Sequence, residues 1–499
     1  MNFNKKEIRF RFAPSPTGFV HIGSLWGALF AYLSAKSLGG KLILRIEDTD
    51  QKRLVDGAVN NLIDVLNWVG IKFDESPKTG GPFEPYIQSE RSDIYKKKIE
   101  ELLEKKACYR CFCTPERLNQ MRKEQEMKKL PPRYDRLCRD LSQEEIDNKL
   151  KNNERFVIRQ KIPIEGEIIV YDELRGDIKF SCSDLDDHIL MKSSGLPTYH
   201  FASVVDDHLM KISHVTRGQE WIPSFPKNIL LYKSFGWEAP KFIHLPVILD
   251  KAGGKLSKRK GNVAVEDYIK DGYLPEALIN FCVLMGWHPK DDKEELSFDE
   301  ILKKFNIKNI GISSPVFDIE KLNYFNGLYI RKKNISELTG ILLPYLDVYI
   351  EKINSKEFRN KINNKIVNHD FIKNIVSLEQ ERIKKLSDIT SLVRFFFEDD
   401  LNYDSDLLIW KKTEKIEIKN NLEKILVILE EENDFSKENL EKKIINYIKD
   451  NDYKVGNFLW PLRVSLSGEE KSPGPFEIAW VLGKDESIKR VENAISKLK

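Results

Sequence analysis

Two periods of apolar spacing alternate along the first 250 residues of this chain. A strand-like run, EIRFRF at 7–12, ends at Ala13-Pro14 and gives way to a loop with Pro14, Pro16 and Gly18. From about Gly23, residues Leu25, Ala28, Leu29, Tyr32 and Leu33 recur at helical spacing and predict one packed face. Gly39-Gly40 stops that helix. KLILRIE (41–47) follows as a nearly continuous apolar run, the pattern of a strand in a parallel sheet covered on both faces. Strand, helix, strand is the opening half of a doubly wound fold, in which ligands sit beyond the carboxyl ends of the strands. Arg11–Ser15 and Glu47–Asp50 occupy those ends.

Residues 95–200 break the rhythm. A charged helical stretch, SDIYKKKIEELLEKKACY, leads to a cluster of cysteines; a second charged helix follows at about 115–129, and 154–180 reads as strands. Alternation returns with PTYHFASVVDDHLMKISHVTRGQEW (197–221) and KFIHLPVIL (241–249). The pattern predicts an α/β domain with a parallel sheet, in halves at 1–94 and 201–250, split by an α+β insertion at 95–200. A linking segment at 251–330 precedes a region at 331–499 that reads as all-α. There Leu422, Ile425, Leu426 and Leu429, then Leu440, Ile444, Tyr447 and Ile448, mark amphipathic bundle helices.

Bulk properties narrow the class without naming a reaction. At 499 residues the chain is too long for one core and suggests about three domains. Hydrophobic residues make up 41% and charged residues 32%, the balance of a soluble globular protein. A net charge of +3 shows no general basic excess, so any nucleic-acid contact has to come from local patches. The start, MNFNKKEIRF, lacks an apolar signal core, and no run approaches the roughly 18–20 apolar residues of a membrane span. A cytoplasmic chain without membrane attachment is the expectation. Six cysteines, three of them at 111, 113 and 138, fit a reduced protein with a metal site better than a disulfide framework.

Short motifs carry the candidate chemistry. No GxGxxG follows the first strand, and GGKLSK (253–258) lacks the GxxxxGK[ST] spacing of a P-loop. His21-Ile22-Gly23-Ser24 does sit where a loop enters a helix, and there free N–H groups and the helix dipole favour an anion. Lys255-Leu256-Ser257-Lys258-Arg259, in a glycine-flanked loop after the last strand, offers point charges to phosphates. No Ser/His/Asp or Cys/His constellation suggests a protein nucleophile.

Together with RFAPSPTG (11–18) and RIEDTD (45–50), these motifs resemble those of class I aminoacyl-tRNA synthetases, and within them the bacterial-type glutamyl-tRNA synthetases. The resemblance covers essentially the whole chain and is most specific before 330. It implies a Rossmann-type catalytic domain and glutamate–tRNA ligase activity. L-glutamate and ATP, with Mg²⁺, would give glutamyl adenylate, and the glutamyl group would pass to the 3′ end of tRNA(Glu). The ATP contacts implied are His21, Gly23, Ser24, Glu220, Lys255, Leu256, Ser257, Lys258 and Arg259, with His21, Lys255 and Lys258 catalytic. The implied glutamate pocket is Arg11, Ser15, Glu47, Tyr199 and Arg217, with Trp221 in its wall. Either arginine suits the side-chain carboxylate, and Glu47 suits the ammonium. Two arginines favour an anionic substrate over glutamine, whose neutral amide leaves guanidinium charge unpaired.

Many members of this family carry CxC, a spacer and CxH as a zinc site. Here Cys111, Cys113 and Cys138 match, but Asp140 stands at the last position. Tyr134 resembles the ligand of a related paralogue that uses Cys, Cys, Tyr and Cys. The expected structural Zn²⁺ ligands are therefore Cys111, Cys113, Tyr134 and Cys138, with Cys108 and Asp140 as alternatives for the fourth place and a lapsed site as the competing reading. His200, Asp206, Asp207 and His208 also crowd together, but they resemble a family segment beside the active site, not a ligand set. The resemblance further implies a monomer that reads the tRNA acceptor arm with the insertion and the anticodon with the helical end, where Arg394 resembles an anticodon-reading arginine. Two alternatives stand beside this reading: an enzyme that also charges tRNA(Gln), and a non-catalytic tRNA-binding relative. Retention of Arg11, His21, Glu47 and Lys258 weighs against the second.

Overall fold

The computed structural model describes residues 7–256 and 264–498. They form two compact units: residues up to 269 with 275–319, and residues 270–274 with those from 320 onward. No helix among the described residues is long and apolar enough to cross a membrane.

The first unit holds strands β1 (Arg9–Phe12), β2 (Lys41–Leu44), β3 (Cys108–Cys111), β4 (Val157–Gln160), β5 (Glu167–Asp172), β6 (Gly176–Ser181), β7 (Ile189–Met191), β8 (His214–Gly218) and β9 (Lys241–Leu245). The main sheet has the order β2-β1-β8-β9-β5-β6. Its first five strands run parallel, and β6 closes the edge antiparallel to β5. The β5–β6 hairpin thus belongs to the main sheet, although it comes from the stretch that interrupts the α/β rhythm. β3, β4 and β7 form a separate antiparallel sheet.

Helix α1 (Ile22–Ser37) is buried nearly all round, Trp26 and Phe30 included, where the sequence spacing predicts a single packed face. The cause is a second layer: besides the sheet, α1 packs on helices Pro275–Leu284 and Phe298–Lys304. Trp26 Nε1 donates to Cys282 O at 3.0 Å, and the Phe30 and Phe305 rings lie 5.9 Å apart, edge to face.

In β1 the alternation RFRF turns Arg9 and Arg11 away from the face of Phe10 and Phe12. Both arginines are buried under helix Tyr199–Leu209 and the turn that ends it. Arg9 makes a bidentate pair with Glu75 (2.7 and 2.7 Å) and donates Nε–H to Met210 O at 2.9 Å. Tyr86 OH donates to the same carboxylate at 2.5 Å. These bonds pull Glu75 below the usual carboxylate range against the opposing effect of burial.

The second unit is helical, with one departure from the all-α expectation. β10 (Ile350–Lys352), β11 (Glu357–Asn360) and β12 (Ile366–Asn368) form a small antiparallel sheet. Strands of three or four residues, with only Ile350, Phe358 and Asn360 buried, are too short to print an alternating pattern on the sequence. The bundle stripes match the spacing: Leu422, Ile425 and Leu429 are buried on Lys415–Glu431, and Leu440, Ile444 and Ile448 on Lys437–Asp450.

Arg490 ties this unit together. Buried on helix Lys484–Lys497, it donates to Leu466 O (2.6 Å), Phe395 O (2.9 Å) and Glu398 O (2.8 Å) and pairs with Glu486 at 3.0 Å. Replacing it leaves three carbonyls, two of them buried, and one carboxylate short of a donor. Arg490→Ala is expected to destabilise this unit by about 3 kcal/mol, since hydrogen bonds to charged groups are each worth about 1.5–3 kcal/mol. Calorimetry should show the melting transition of the helical unit falling by about 6–12 °C. An unchanged transition would contradict the clamp.

Candidate functional site

The site is a row of side chains across five adjacent strands. Parallel register sets Arg11 of β1 beside Ile43 of β2 and Val215 of β8, and Arg217 of β8 beside His244 of β9. Asp172, the last residue of β5, pairs with Phe242, two residues before His244. Because side chains alternate along a strand, Asp172, His244, Arg217 and Arg11 share one face at the carboxyl ends. Arg45 and Glu47 extend the row just past β2. A cavity of about 780 Å³ opens above it.

Its floor is a balanced set of buried charges. Arg45 donates to Glu47 Oε1 (2.8 Å) and Asp207 Oδ1 (2.7 Å). Arg11 donates to Asp207 Oδ1 (3.3 Å) and Thr216 O (3.0 Å). Asp206 accepts from Arg91 (2.7 Å), Tyr95 OH (2.8 Å) and Gln88 (2.9 Å). Three guanidinium groups therefore meet three carboxylates, none more than a few per cent exposed. Asp206 and Asp207, singled out in the sequence with His200 and His208, are thus held by arginines. His200 faces Asn228 at 3.3 Å, and His208 stacks on Trp237 at 3.8 Å.

Two polar atoms are left over. Glu47 Oε2 and Arg217 Nη2 are buried and have no hydrogen-bond partner among the described residues. Burial pushes the Glu47 carboxyl up, with Arg45 and Arg11 opposing. Arg217 has no carboxylate partner among the described residues; its Nε donates instead to His244 Nε2 at 3.0 Å. Burial pulls its guanidinium below the ordinary value, with Tyr199 opposing. Tyr199 opens helix Tyr199–Leu209 and packs on Trp221, ring centres 4.6 Å apart. Arg11, Ser15, Glu47, Tyr199 and Arg217 all line this one cavity. The sequence reading missed Arg45, Asp172 and His244. Arg45 lies inside RIEDTD, and its position two residues before Glu47, hence on the same face, was the available signal.

The same cavity takes in His21, Gly23, Ser24, Glu220, Lys255 and Leu256. His21 is the N-cap of α1: its Nδ1 accepts from Ser24 N at 3.1 Å, and its Nε2 lies 3.1 Å from Ser24 Oγ. The imidazole folds back over residue 23, where a Cβ would stand 3.1 Å from the ring, so glycine lets the ring lie flat on the helix start. Leu249–Lys255 forms a tight hairpin in which Gly253 and Gly254 have φ of 88° and 80°, conformations that glycine adopts without strain. The hairpin presents Lys255, whose Nζ meets Glu220 at 3.0 Å. Ser257, Lys258 and Arg259 lie outside the described residues.

A second cluster sits at the end of β3. The sulfurs of Cys111, Cys113 and Cys138 lie within 4.8 Å of one another. Tyr134 OH is 3.2 Å from Cys111 Sγ and 3.5 Å from Cys113 Sγ. Hydrogen bonding from Cys138 draws the Cys111 thiol well below its ordinary value. Arg159 lies over the Tyr134 ring at 3.8 Å, and Arg117 donates to Cys113 Sγ at 3.5 Å. The two other candidates are elsewhere. Cys108 packs in the main core, and Asp140 is exposed and paired with Lys161. Arg394, in the second unit, is 62% exposed and pairs with Glu398 at 2.6 Å.

Residues 7–324 match the model of the class I tRNA synthetase catalytic domain (E and Q), and residues 337–495 match that of an anticodon binding domain. The chain is 45% identical to a glutamate–tRNA ligase of Borreliella afzelii (strain PKo), over 97% of each chain. It is 45% identical to one of Clostridium kluyveri, over 99% of this chain and 98% of the other. The crystal structure of a glutamate tRNA ligase from Elizabethkingia meningosepticum, in complex with its amino acid, is 36% identical with a TM-score of 0.89 and covers 99% of this chain and 100% of its own. Two whole-chain relatives at this identity, with both family models in order, leave one assignment: the chain belongs to the class I tRNA synthetases, in the glutamate–tRNA ligase family.

Proposed function

We propose that this chain activates L-glutamate with ATP and transfers it to the 3′ end of tRNA(Glu), as a cytoplasmic monomer. One observation carries the substrate assignment. Arg217, a guanidinium without a carboxylate partner among the described residues, and Glu47, whose Oε2 has no donor there, both line one cavity. A substrate with a carboxylate for the first and an ammonium for the second completes both. Arg11 is already shared between Asp207 and Thr216 O, so the second substrate carboxylate meets a partly engaged arginine.

In the first step a glutamate carboxylate oxygen bonds to the α-phosphorus and pyrophosphate leaves. In the second, a ribose hydroxyl of the terminal adenosine attacks the acyl carbon and AMP leaves. Charge builds on phosphate oxygens, so positioning and fixed donors dominate. The start of α1, with His21, Gly23 and Ser24, supplies N–H groups and the positive end of a dipole. Lys255 and Lys258 supply positive charge to the outer phosphates. Mg²⁺, held largely by phosphate oxygens and water, would neutralise the same charge. Residues 95–200 meet the acceptor arm in this reading, 251–330 the inner corner of the tRNA, and 331–499 the anticodon, where Arg394 is exposed. Ser15, exposed and among the residues lining the cavity, would offer its hydroxyl to the substrate.

The cysteine cluster suits Zn²⁺ with Cys111, Cys113, Tyr134 and Cys138 as ligands. Four donors converge, as tetrahedral coordination requires, and ligand sulfurs about 3.8 Å apart follow from a Zn–S length of about 2.3 Å. Three thiolates and a phenolate overcompensate the ion's charge, and Arg117 and Arg159 beside them offset the excess. The ion would tie β3 to the 134–138 loop without taking part in the reaction.

Exchange of pyrophosphate into ATP tests the activity, with tRNA(Glu) and glutamate present; no exchange under those conditions would defeat the proposal. Lys258→Ala should slow adenylate formation by at least ~10²-fold, because a preorganised charge-stabilising group is worth ~2.7–4 kcal/mol. Arg217→Leu should raise the glutamate KM by about 10- to 100-fold with the ATP KM unchanged, the loss of one charge-assisted bond. Elemental analysis should find about one zinc per chain. Tyr134→Phe should weaken retention against a chelator, and full retention would remove Tyr134 from the ligand set.

A further inference from the structure

Asp172, His244 and Arg217 stand on three neighbouring strands, β5, β9 and β8, and are bonded in series. Asp172 Oδ2 lies 2.7 Å from His244 Nδ1, and His244 Nε2 accepts from Arg217 Nε at 3.0 Å. Asp172 and His244 are fully buried. The Asp172 carboxylate also accepts three backbone N–H bonds, from Leu174 (3.0 Å), Arg175 (3.1 Å) and His244 (3.0 Å). With four donors converging on it, the group is held as the anion, and an anion there requires a proton on His244 Nδ1. The other ring nitrogen is then a lone pair facing Arg217.

A carboxylate at position 244 would orient Arg217 equally well, but it would also cancel its charge. The neutral ring uses one N–H and leaves the charge intact. We propose that the Asp172–His244 pair holds Arg217 through a neutral acceptor, so that the guanidinium reaches the substrate oriented but uncompensated, and that His244 is thereby a positioning residue for selection of a carboxylate over an amide.

This rests on Arg217 as the carboxylate partner proposed above. The charges around His244 agree with it. Asp172 faces Nδ1, and Arg217 and Arg175 both oppose a second proton on the ring. Phe225 and Phe242 cover the ring with centroids at 4.9 and 6.2 Å, which keeps water from substituting as the acceptor.

Three substitutions at one position test the relay, with glutamate KM, ATP KM and discrimination against glutamine as readouts on the full chain with tRNA. None of them orphans Asp172, which keeps its three backbone donors. His244→Leu removes the acceptor and should raise the glutamate KM by about 10- to 100-fold, with the ATP KM within about twofold. His244→Gln restores a neutral acceptor and should recover most of that loss. His244→Glu supplies a charged acceptor and should lower the preference for glutamate over glutamine by at least about tenfold. A purely structural role would make the three variants track their melting temperatures and move both KM values together, which would overturn the relay. Equal selectivity in the Glu and Gln variants would also overturn it. Arg217→Leu separates the two layers. If it leaves the glutamate KM unchanged, the substrate assignment fails; if it raises it while His244→Leu does not, only the relay fails.

Discussion

Everything at the active end of the sheet depends on charge being matched inside a dry wall. An ion without a partner in such a place costs several kcal/mol, and removing one member of a buried pair typically costs about 3–5 kcal/mol. Arg11, Arg45 and Arg91 therefore come with Glu47, Asp206 and Asp207, three against three. Arg217 stands apart from that set: its link to the nearest strand-borne carboxylate, Asp172, runs through the His244 ring, and Arg217 lines the cavity. Glu47 shows the same logic at the scale of one carboxylate. Its Oε1 is committed to Arg45, and its Oε2 has no partner among the described residues.

Much of this was legible in the sequence because short-range rules apply to it. The first β–α–β unit followed from apolar spacing and glycine stops, and the residues at its strand ends do line the cavity. His21 and Gly23 were readable as a helix start, and the structure adds why glycine is needed, since the ring folds onto it. What could not be read were pairings between residues distant in the chain. Asp172 is 72 residues from His244, and only the position of β5 beside β9 brings them together. Its surroundings, YDELRGDIKF, look like any exposed hairpin, and their composition says nothing about which sheet they join. The small β10–β12 sheet escaped for a different reason: strands so short carry no period.

The cysteine cluster shows how topology settles what composition leaves open. Cys108 and Cys111 both lie on β3, and Cys108 enters the main core while Cys111 joins Tyr134 and Cys138. Asp140 follows Cys138 by two residues but is drawn out to Lys161. Among the described residues Tyr134 alone adds an oxygen within 3.5 Å of two of the sulfurs. Spacing nominated four candidates for one place, and only the fold could choose among them.

The row across β2, β1, β8, β9 and β5 has a further consequence. Recognition written into strand register is inherited with folding itself: sliding β8 by one residue would turn Arg217 to the opposite face and strip the core of Val215 in the same movement. Errors in the register of these side chains are therefore coupled to errors in the sheet. On the proposed reading, changing the amino acid accepted would demand rewriting the interior of several strands together, while the loops proposed for the nucleotide could vary independently. On that reading, fidelity would be a property of the hydrogen-bonded ladder before it is a property of any single contact.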